Sequence, residues 1–415
     1  MAYREDTAEI VIVGAGPAGS TLAALLAGRG HDVLLLDRAI FPRDKTCGDG
    51  LTPRAVGALA RLGLLDGLAA NGYRRIHAAL LHAPNGDRWL MRFADYDLGL
   101  PTFGLVVPRF ELDDYLRRHA VSQGARFRGG VDAERPLYGA PTGAGRRTVI
   151  GVEARTADGP LRVHARITVL ATGAAIGLLR AFGVLRAMPP GINAVRGYFA
   201  RVPDLTDAFE FYFDADLAPG YGWVFPVGED RANIGLGVLA RDGTGPAINL
   251  RSRLDEFLRR HRRLAAAVPA GPIKGYPIRI DFPRCRTSGD GFLVIGEAAG
   301  LVNPVTGEGI DLAMESAELA AEAIHTVLAA GDLTAGGLRR YDRDLRGRYA
   351  GFFRGIRVLL RLATGPRALN VLIRQAQHRP YLARTIAGIN LGVASPWLAF
   401  SPRTWHDILC GVRRA

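Results

Sequence analysis

Glu9-Ile-Val-Ile-Val13, Gly14-Ala-Gly16-Pro-Ala-Gly19, Ser20-Thr-Leu-Ala-Ala-Leu-Leu-Ala27 and Val33-Leu-Leu-Leu36-Asp37 stand close together near the start of a chain of 415 residues. The first run is rich in β-branched residues, the composition of a buried parallel strand. The G-x-G-x-x-G that follows opens directly into an apolar segment that reads as a helix. In such a turn Gly14 permits the sharp bend, Gly16 lets backbone approach a pyrophosphate, and Gly19 lets helix pack closely on strand. The free N–H groups and dipole at the start of that helix favour the phosphates. Asp37 comes about 20 residues later, where a carboxylate accepts from ribose hydroxyls. Strand, turn, helix, strand and acid together predict a dinucleotide site along Gly14, Ala15, Gly16, Pro17, Ala18, Gly19, Asp37 and Arg38.

The length exceeds one ordinary domain, so two or three substructures are expected. A 48% hydrophobic content and a mean hydropathy of +0.08 suit a soluble chain with a large core. Met1-Ala-Tyr-Arg-Glu-Asp carries both charge signs and does not read as a signal peptide. No stretch outside the glycine motif offers about 18 uninterrupted apolar residues, so no spanning helix is expected. Three cysteines far apart, Cys47, Cys285 and Cys410, argue for a reducing compartment rather than a disulfide framework, and no metal is expected. The reading places the protein in the cytoplasm. From Gly336 onward fifteen arginines face three aspartates, so +12 of the net +13 lies in the last fifth. That tail is either a solvated basic surface or one drawn to anionic lipid headgroups at the inner face of the cell membrane. Nucleic acid is not expected as a partner, because no aromatic–basic interleaving accompanies the charge.

Period and turn signals give an interleaved α/β organisation. A Rossmann-like nucleotide portion occupies residues 1–72, 106–187 and 286–335, interrupted by sheet segments at 73–105 and 188–285. A basic helical region, 336–415, closes the chain. Within this frame Arg54–Leu68, Phe110–Ser122, Leu250–Ala267 and Ile310–Ala330 are predicted helices. Ile76–Phe93 is a predicted strand pair turning at Pro84-Asn-Gly86, and Arg126-Phe127 a third parallel strand. Thr148–Ala154 and Leu161–Ala165 form a predicted hairpin, and Ile167–Leu170 returns to the parallel sheet. From Met188 to Ile280 the alternation has period two, which predicts an antiparallel sheet.

Only one G-x-G-x-x-G follows a strand, so one dinucleotide is expected to be held permanently. Gly296-Glu297-Ala-Ala-Gly300 offers a second element, where an acid at the end of a strand suits the hydroxyls of a ribityl chain. Pro304 and Gly307-Glu-Gly309 then precede the helix beginning at Ile310. Its N-terminus suits negative charge at the N1/C2=O edge of a reduced flavin.

Val11–Gly19, Phe41-Pro-Arg-Asp-Lys-Thr-Cys-Gly-Asp-Gly-Leu51, Pro108-Arg-Phe-Glu-Leu-Asp113, Pro219-Gly-Tyr-Gly-Trp-Val-Phe-Pro226 and Gly296–Ile310 together resemble the geranylgeranyl reductase family. That family lies within the p-hydroxybenzoate-hydroxylase-like class of flavoproteins, and actinobacterial menaquinone reductases look most similar. The resemblance implies non-covalent FAD, a prenylated lipid substrate and reduction of an isolated C=C bond. It also implies that Arg109 contacts the cofactor and that Cys47 and Gly48 lie beside the flavin. The chain departs from the family's usual pattern at Glu297, where Asp is usual, and at Ala171-Thr172-Gly173, where Ala-Asp-Gly is frequent.

An unactivated alkene does not accept hydride alone, so a proton must arrive with or before it. Flavin N5 would give the hydride, with NADPH or ferredoxin as the reductant behind it. Tyr212, Tyr221, Trp223, Phe225 and Pro226 form the candidate substrate wall, whose ring faces suit developing cationic character. Tyr221, Trp223 and Cys47 are the catalytic candidates. Arg43 and Lys45, just before Cys47, are expected to lower its thiol pKa. The alternative reading is an FAD-dependent monooxygenase, a hydroxylase or epoxidase of secondary metabolism. Halogenation is a variant of it that lacks a lysine between Lys45 and Lys274.

Overall fold

Arg4–Val13 is the central strand of a parallel sheet, flanked by Val33–Leu36 on one side and Gly159–Leu170 on the other. Arg126–Arg128 extends the sheet beyond Val33–Leu36, and Phe292–Val294 extends it beyond Gly159–Leu170, both in parallel. The computed structural model describes residues 3–141, 147–240, 249–362 and 365–409. Cys410, Arg413 and Arg414, counted above, lie outside the described residues.

The sheet is covered on both faces, which is why its strands are near-continuous apolar runs. The helices Pro17–Ala27 and Ile310–Ala330 pack on it together, and Ala335–Leu362 packs against the latter and against the edge strands Ser288–Gly289 and Phe292–Val294. One large core joins Ile10, Ile12, Leu34, Val169 and Leu293 to Leu22, Ile324 and Phe353. The predicted hairpin is present as Val149–Thr156 against Gly159–Leu170, with the second strand running unbroken into the parallel sheet.

A second sheet orders the strands Val268–Pro269, Ile192–Ala200, Ala232–Leu239, Gly220–Pro226, Ala208–Tyr212, Ala78–His82 and Arg88–Arg92, with Lys274–Ile278 also on Ile192–Ala200. The antiparallel expectation holds for all but one of these pairings. Ala208–Tyr212 runs parallel to Ala78–His82, because the two enter the sheet from separate excursions of the chain rather than from a shared hairpin.

Two predicted helices are shorter than their periodicity suggests. Arg54–Leu68 divides into Pro53–Arg61 and Leu65–Ala69, with Gly63 at φ +68° between them. Leu250–Ala267 ends at Arg260 and continues only as a 3-10 turn, Arg262–Leu264. In the tail, each proline opens a new element: Pro366–Ala376, Pro380–Asn390, the 3-10 segment Pro396–Phe400 and Pro402–Leu409. Proline suits the first helical position, where its missing N–H removes nothing from the helix. Several tail arginines are tethers rather than free charge. Arg357 donates to the Ile280 carbonyl at 3.0 Å, Arg374 to Asp87 at 2.9 Å and Arg384 to the Asp97 carbonyl at 2.7 Å. Ile373, Ala383 and Ala387 meanwhile join Trp89, Met91 and Phe209 in a core under the second sheet. Among the described residues no helix is long and apolar enough to cross a membrane.

Candidate functional site

The three motif glycines do different work. A Cβ on Gly14, which sits at φ +110°, would lie 2.3 Å from the Ala171 carbonyl oxygen, and one on Gly19 would lie 1.8 Å from that of Gly14. Both positions are closed to any side chain by backbone. Gly16 is different: a Cβ there would meet only guanidinium nitrogens, 3.7 Å away on Arg43 and 3.9 Å away on Arg109. The open side of the turn therefore faces two cations. Arg43 and Arg109 both bind the Asp113 carboxylate, at 2.8 Å and at 2.7 and 2.8 Å. Burial works against the Arg109 charge, but Asp113 prevails and raises its pKa. Asp37, at the end of the second strand, accepts from the backbone N–H of Ala15 at 2.8 Å and of Ala39 at 2.9 Å. These bonds fix the carboxylate at the mouth of the turn.

The Cys47 loop is pinned to the second sheet. Asn233 Nδ2 donates to the Cys47 carbonyl at 2.8 Å and to Asp49 Oδ2 at 2.7 Å, and Asn233 Oδ1 accepts from Trp223 Nε1 at 3.0 Å. Asp49 also accepts from Tyr198 at 2.6 Å and from the Arg109 N–H at 3.2 Å. Burial pushes the Asp49 carboxyl up to about 6 despite these donors. The two cations that precede Cys47 in sequence pair with carboxylates, and Arg109 is the cation whose side chain reaches Cys47. Arg43 is bound to Asp113, and Lys45 to Glu297 at 2.9 Å. Glu297 Oε1 also accepts from the Arg279 N–H at 3.3 Å.

Tyr221, Trp223 and Phe225 share one face of their strand and line a cavity of about 1600 Å³. Phe209, Phe211 and Phe213 join them from the neighbouring strand. Two sequence candidates fall on the other face. Tyr212 lies one residue out of register with its cavity-facing neighbours, which in a strand reverses the side chain. It stacks on His82 with ring centroids 4.0 Å apart and donates to Glu210 at 2.7 Å. Pro226 likewise does not line the cavity; it falls in phase with Gly222 and Val224.

Gly14, Gly16, Pro17, Ala18, Asp37, Arg38, Cys47, Gly48, Arg109, Thr172, Gly173, Glu297, Pro304, Gly307, Gly309 and Ile310 all line this same cavity. Ala15, Gly19 and Gly296 lie just behind its wall, where Gly296 sits at φ +61° and donates its N–H to Ser316. From the aromatic strand the cavity continues between tail helices past Leu359, Leu369, Leu372, Ile386 and Ile408. Its rim carries Leu362, Trp405 and Leu409, each 46–66% exposed, and exposed Trp397 and Leu398 stand nearby.

Four residues at the site escape the sequence reading: Arg43 as a partner of the glycine turn, Asp49, Asn233 and Glu308. Asn233 leaves a trace, being the one polar residue in the strand Ala232–Leu239. Glu308 stands between two glycines, and its backbone is fixed by a 2.7 Å bond from the Asn303 N–H to its carbonyl. Its side chain lines the cavity beside Tyr221, and burial, then the nearby Asp311, holds its pKa well above the usual range.

The donor set suits FAD: an open glycine facing two guanidinium groups, a fixed carboxylate at the strand end, and a cleft leading to aromatic faces. Comparison with known proteins agrees. The FAD binding domain family matches residues 7–187, and the geranylgeranyl reductase catalytic domain matches residues 193–269. A menaquinone reductase of Mycobacterium tuberculosis is 37% identical over 384 residues, 88% of this chain and 86% of the relative. Digeranylgeranylglycerophospholipid reductase 1 of Methanopyrus kandleri is 34% identical over 344 residues, 80% of this chain and 84% of the relative. The crystal structure of a geranylgeranyl bacteriochlorophyll reductase-like protein from Thermoplasma acidophilum superposes with a TM-score of 0.81 at 21% identity, covering 98% of this chain and 100% of the other. A myxobacterial chondrochloren halogenase shares the fold at a TM-score of 0.71 and 25% identity, over 93% of this chain and 91% of its own. The chain belongs to the geranylgeranyl reductase family of FAD-dependent oxidoreductases.

Proposed function

We propose that the protein reduces a C=C bond in the prenyl chain of a membrane lipid, a menaquinone tail or a geranylgeranyl group. The observation that carries this reading is the continuity of the cavity. One space joins the glycine turn at Gly16, the aromatic faces of Tyr221, Trp223 and Phe225, and an apolar channel between the tail helices. A compact polar substrate needs no such channel, whereas a long hydrocarbon chain fills it by burying apolar surface.

In this reading Gly16, Arg43 and Arg109 hold the FAD pyrophosphate, Asp37 and Arg38 its ribose end, and Glu297 the ribityl hydroxyls. Thr172, Gly173, Pro304, Gly307, Gly309 and Ile310 close around the ring. When bound, reduced FAD supplies hydride, and NADPH or a ferredoxin supplies its electrons. Tyr221, Trp223 and Phe225 present ring faces to the alkene carbons, exclude water and stabilise positive charge developing there. Cys47 stands against this wall on a loop that Asn233 fixes. The exposed tryptophans and leucines at the rim, with Arg361, Arg367 and Arg403 among them in sequence, rest on an anionic membrane surface from which the lipid enters.

Mass spectrometry of prenyl lipids incubated with chemically reduced holoenzyme tests this. A product two mass units heavier is expected. A product carrying one added oxygen, formed with oxygen uptake, would instead establish the monooxygenase reading.

A further inference from the structure

Alkene reduction needs a proton donor, and the carboxyl groups around the cavity differ sharply in their freedom to be one. Asp37 is held by backbone N–H groups, Glu297 by Lys45, and Asp44 by Arg196 and Lys274. Asp311 is paired with Arg54 at 3.3 Å, and Arg54 is further committed to Glu315 at 2.7 Å. Asp132 and Glu134 are exposed at the far margin. Glu308 remains, with no ion pair among the described residues and its side chain on the cavity wall.

We propose that the Glu308 carboxyl is the acid that protonates the alkene carbon. This rests on the C=C reductase reading and assigns it a proton source. The groups facing Glu308 support the assignment. Thr52, just before Pro53–Arg61, turns a buried hydroxyl with no hydrogen-bond partner towards the carboxyl and favours the carboxylate left after proton transfer, though less than burial opposes it. From Ile310–Ala330, Asp311 adds a like charge that disfavours ionisation, and Arg54 favours ionisation less strongly. From the sheet side comes Tyr221, whose hydroxyl is turned away to donate to the Thr306 carbonyl. Burial raises the Tyr221 pKa as well, so for both groups it favours the protonated form.

The step balances. The alkene π pair forms a C–H bond to the Glu308 proton, and the O–H electrons remain on the carboxylate. The electron-poor carbon then receives hydride from the reduced flavin, which is oxidised by two electrons as the alkene is reduced by two. Glu308 regains its proton from water. The carboxylate left beside the cationic carbon, opposite aromatic faces, lowers the energy of that charge.

The test compares wild-type holoenzyme with Glu308→Gln and Glu308→Asp. Infrared spectra at neutral pH should show the carbonyl stretch of a protonated carboxylic acid in the wild type and lose it in Glu308→Gln. Reoxidation of chemically reduced enzyme by a geranylgeranyl lipid should slow at least ~100-fold in Glu308→Gln, the range of a general acid. Glu308→Asp should recover part of the rate. Reoxidation by a small benzoquinone, which needs no carbon protonation, is the internal reference and confirms a bound, competent flavin. In the wild type the alkene reaction should fall off as pH rises and Glu308 ionises. Equal alkene rates in wild type and Glu308→Gln, or no band difference, would overturn the assignment. A wild type that no prenyl lipid reoxidises would instead remove the reductase reading beneath it, while the infrared comparison would still report the Glu308 proton.

Discussion

Asn233 Nδ2 lies 2.8 Å from the Cys47 carbonyl oxygen, joining the second sheet to the loop beside the glycine turn. The same amide holds Asp49 and accepts from Trp223, so one side chain sets the relative position of loop and aromatic wall. Replacing it by leucine keeps the volume but takes the partner from the Cys47 carbonyl and the Trp223 indole N–H, and one of three donors from the buried Asp49 carboxylate. Each orphan costs about 1–3 kcal/mol. Asn233→Leu should therefore unfold at clearly lower urea, by roughly 3 kcal/mol or more in total, while still retaining yellow cofactor. An unchanged urea midpoint would show that the amide does not carry this junction.

Asp49 makes the same junction sensitive to pH. Its carboxyl sits at about 6 in the folded chain against 3.8 when free. Between those values the folded state keeps a proton that the unfolded state has lost, so stability falls as pH rises through the window and is level above it. The shift corresponds to about 3 kcal/mol. Denaturation of wild type and Asp49→Asn at pH 4 and pH 6.5 checks this. The advantage of the wild type should shrink by about 2 kcal/mol between these two pH values, since the free carboxyl is already half ionised at pH 4; a constant difference between the two proteins would contradict it.

The glycines separate folding from binding. Gly19→Ala places a methyl against the Gly14 carbonyl and should give insoluble or unfolded protein. Gly16→Ala meets only side-chain ends and should fold with a near-normal melting temperature. Its methyl would occupy the space in front of Arg43 and Arg109, so FAD affinity should drop tenfold or more, about 1.4 kcal/mol. Fluorescence titration of the apoprotein with FAD reads this directly. Tight binding by Gly16→Ala would mean that the pyrophosphate does not approach there.

These effects mark where the sequence was legible. The glycine turn, the strand ending at Asp37 and the helix Ile310–Ala330 were readable because short-range chemistry sets them: close backbone contact, caps and an unbroken apolar period. Tyr212 falls on the face away from the cavity, and alternation reveals two faces of a strand but not which of them lines it. Only the partner strand and the helix Leu250–Arg260, which supplies Phe257 beneath Tyr212, decide that. Arg43, Asp49 and Glu308 were not legible, since their significance arises from partners 70, 184 and 256 residues away: Asp113, Asn233 and Thr52. The basic tail was legible as charge alone, and its tethers to Asp87, Asp97 and Ile280 could not be read from composition.

The apolar channel predicts a dependence on chain length. Leu372 lines it among the tail helices, beyond the aromatic wall. A tryptophan there fills space that a long prenyl chain needs, and overpacking of this kind costs about 1–3 kcal/mol. Leu372→Trp should lower kcat/KM for a long-chain menaquinone about tenfold or more, with little effect on a short prenyl substrate and none on bound FAD. Equal losses for both chain lengths would place the chain elsewhere.

The rim predicts how the enzyme meets its lipid. Trp397 is 51% exposed and Trp405 46%, both too large to leave in water without cause, and Arg403 stands over Tyr381 close by. Tryptophan favours the headgroup level of a bilayer, and each arginine near an anionic surface adds about 1 kcal/mol. Co-sedimentation should show the protein on phosphatidylglycerol vesicles in preference to phosphatidylcholine, with binding weakened by salt as the charges are screened. Trp397→Ser combined with Trp405→Ser should reduce binding about tenfold without altering the melting temperature or the FAD content. Reduction of a short prenyl substrate presented in detergent should survive the double change, because the rim lies away from the aromatic wall. Vesicle binding that ignores both lipid charge and these two tryptophans would mean that the lipid reaches the channel by another face.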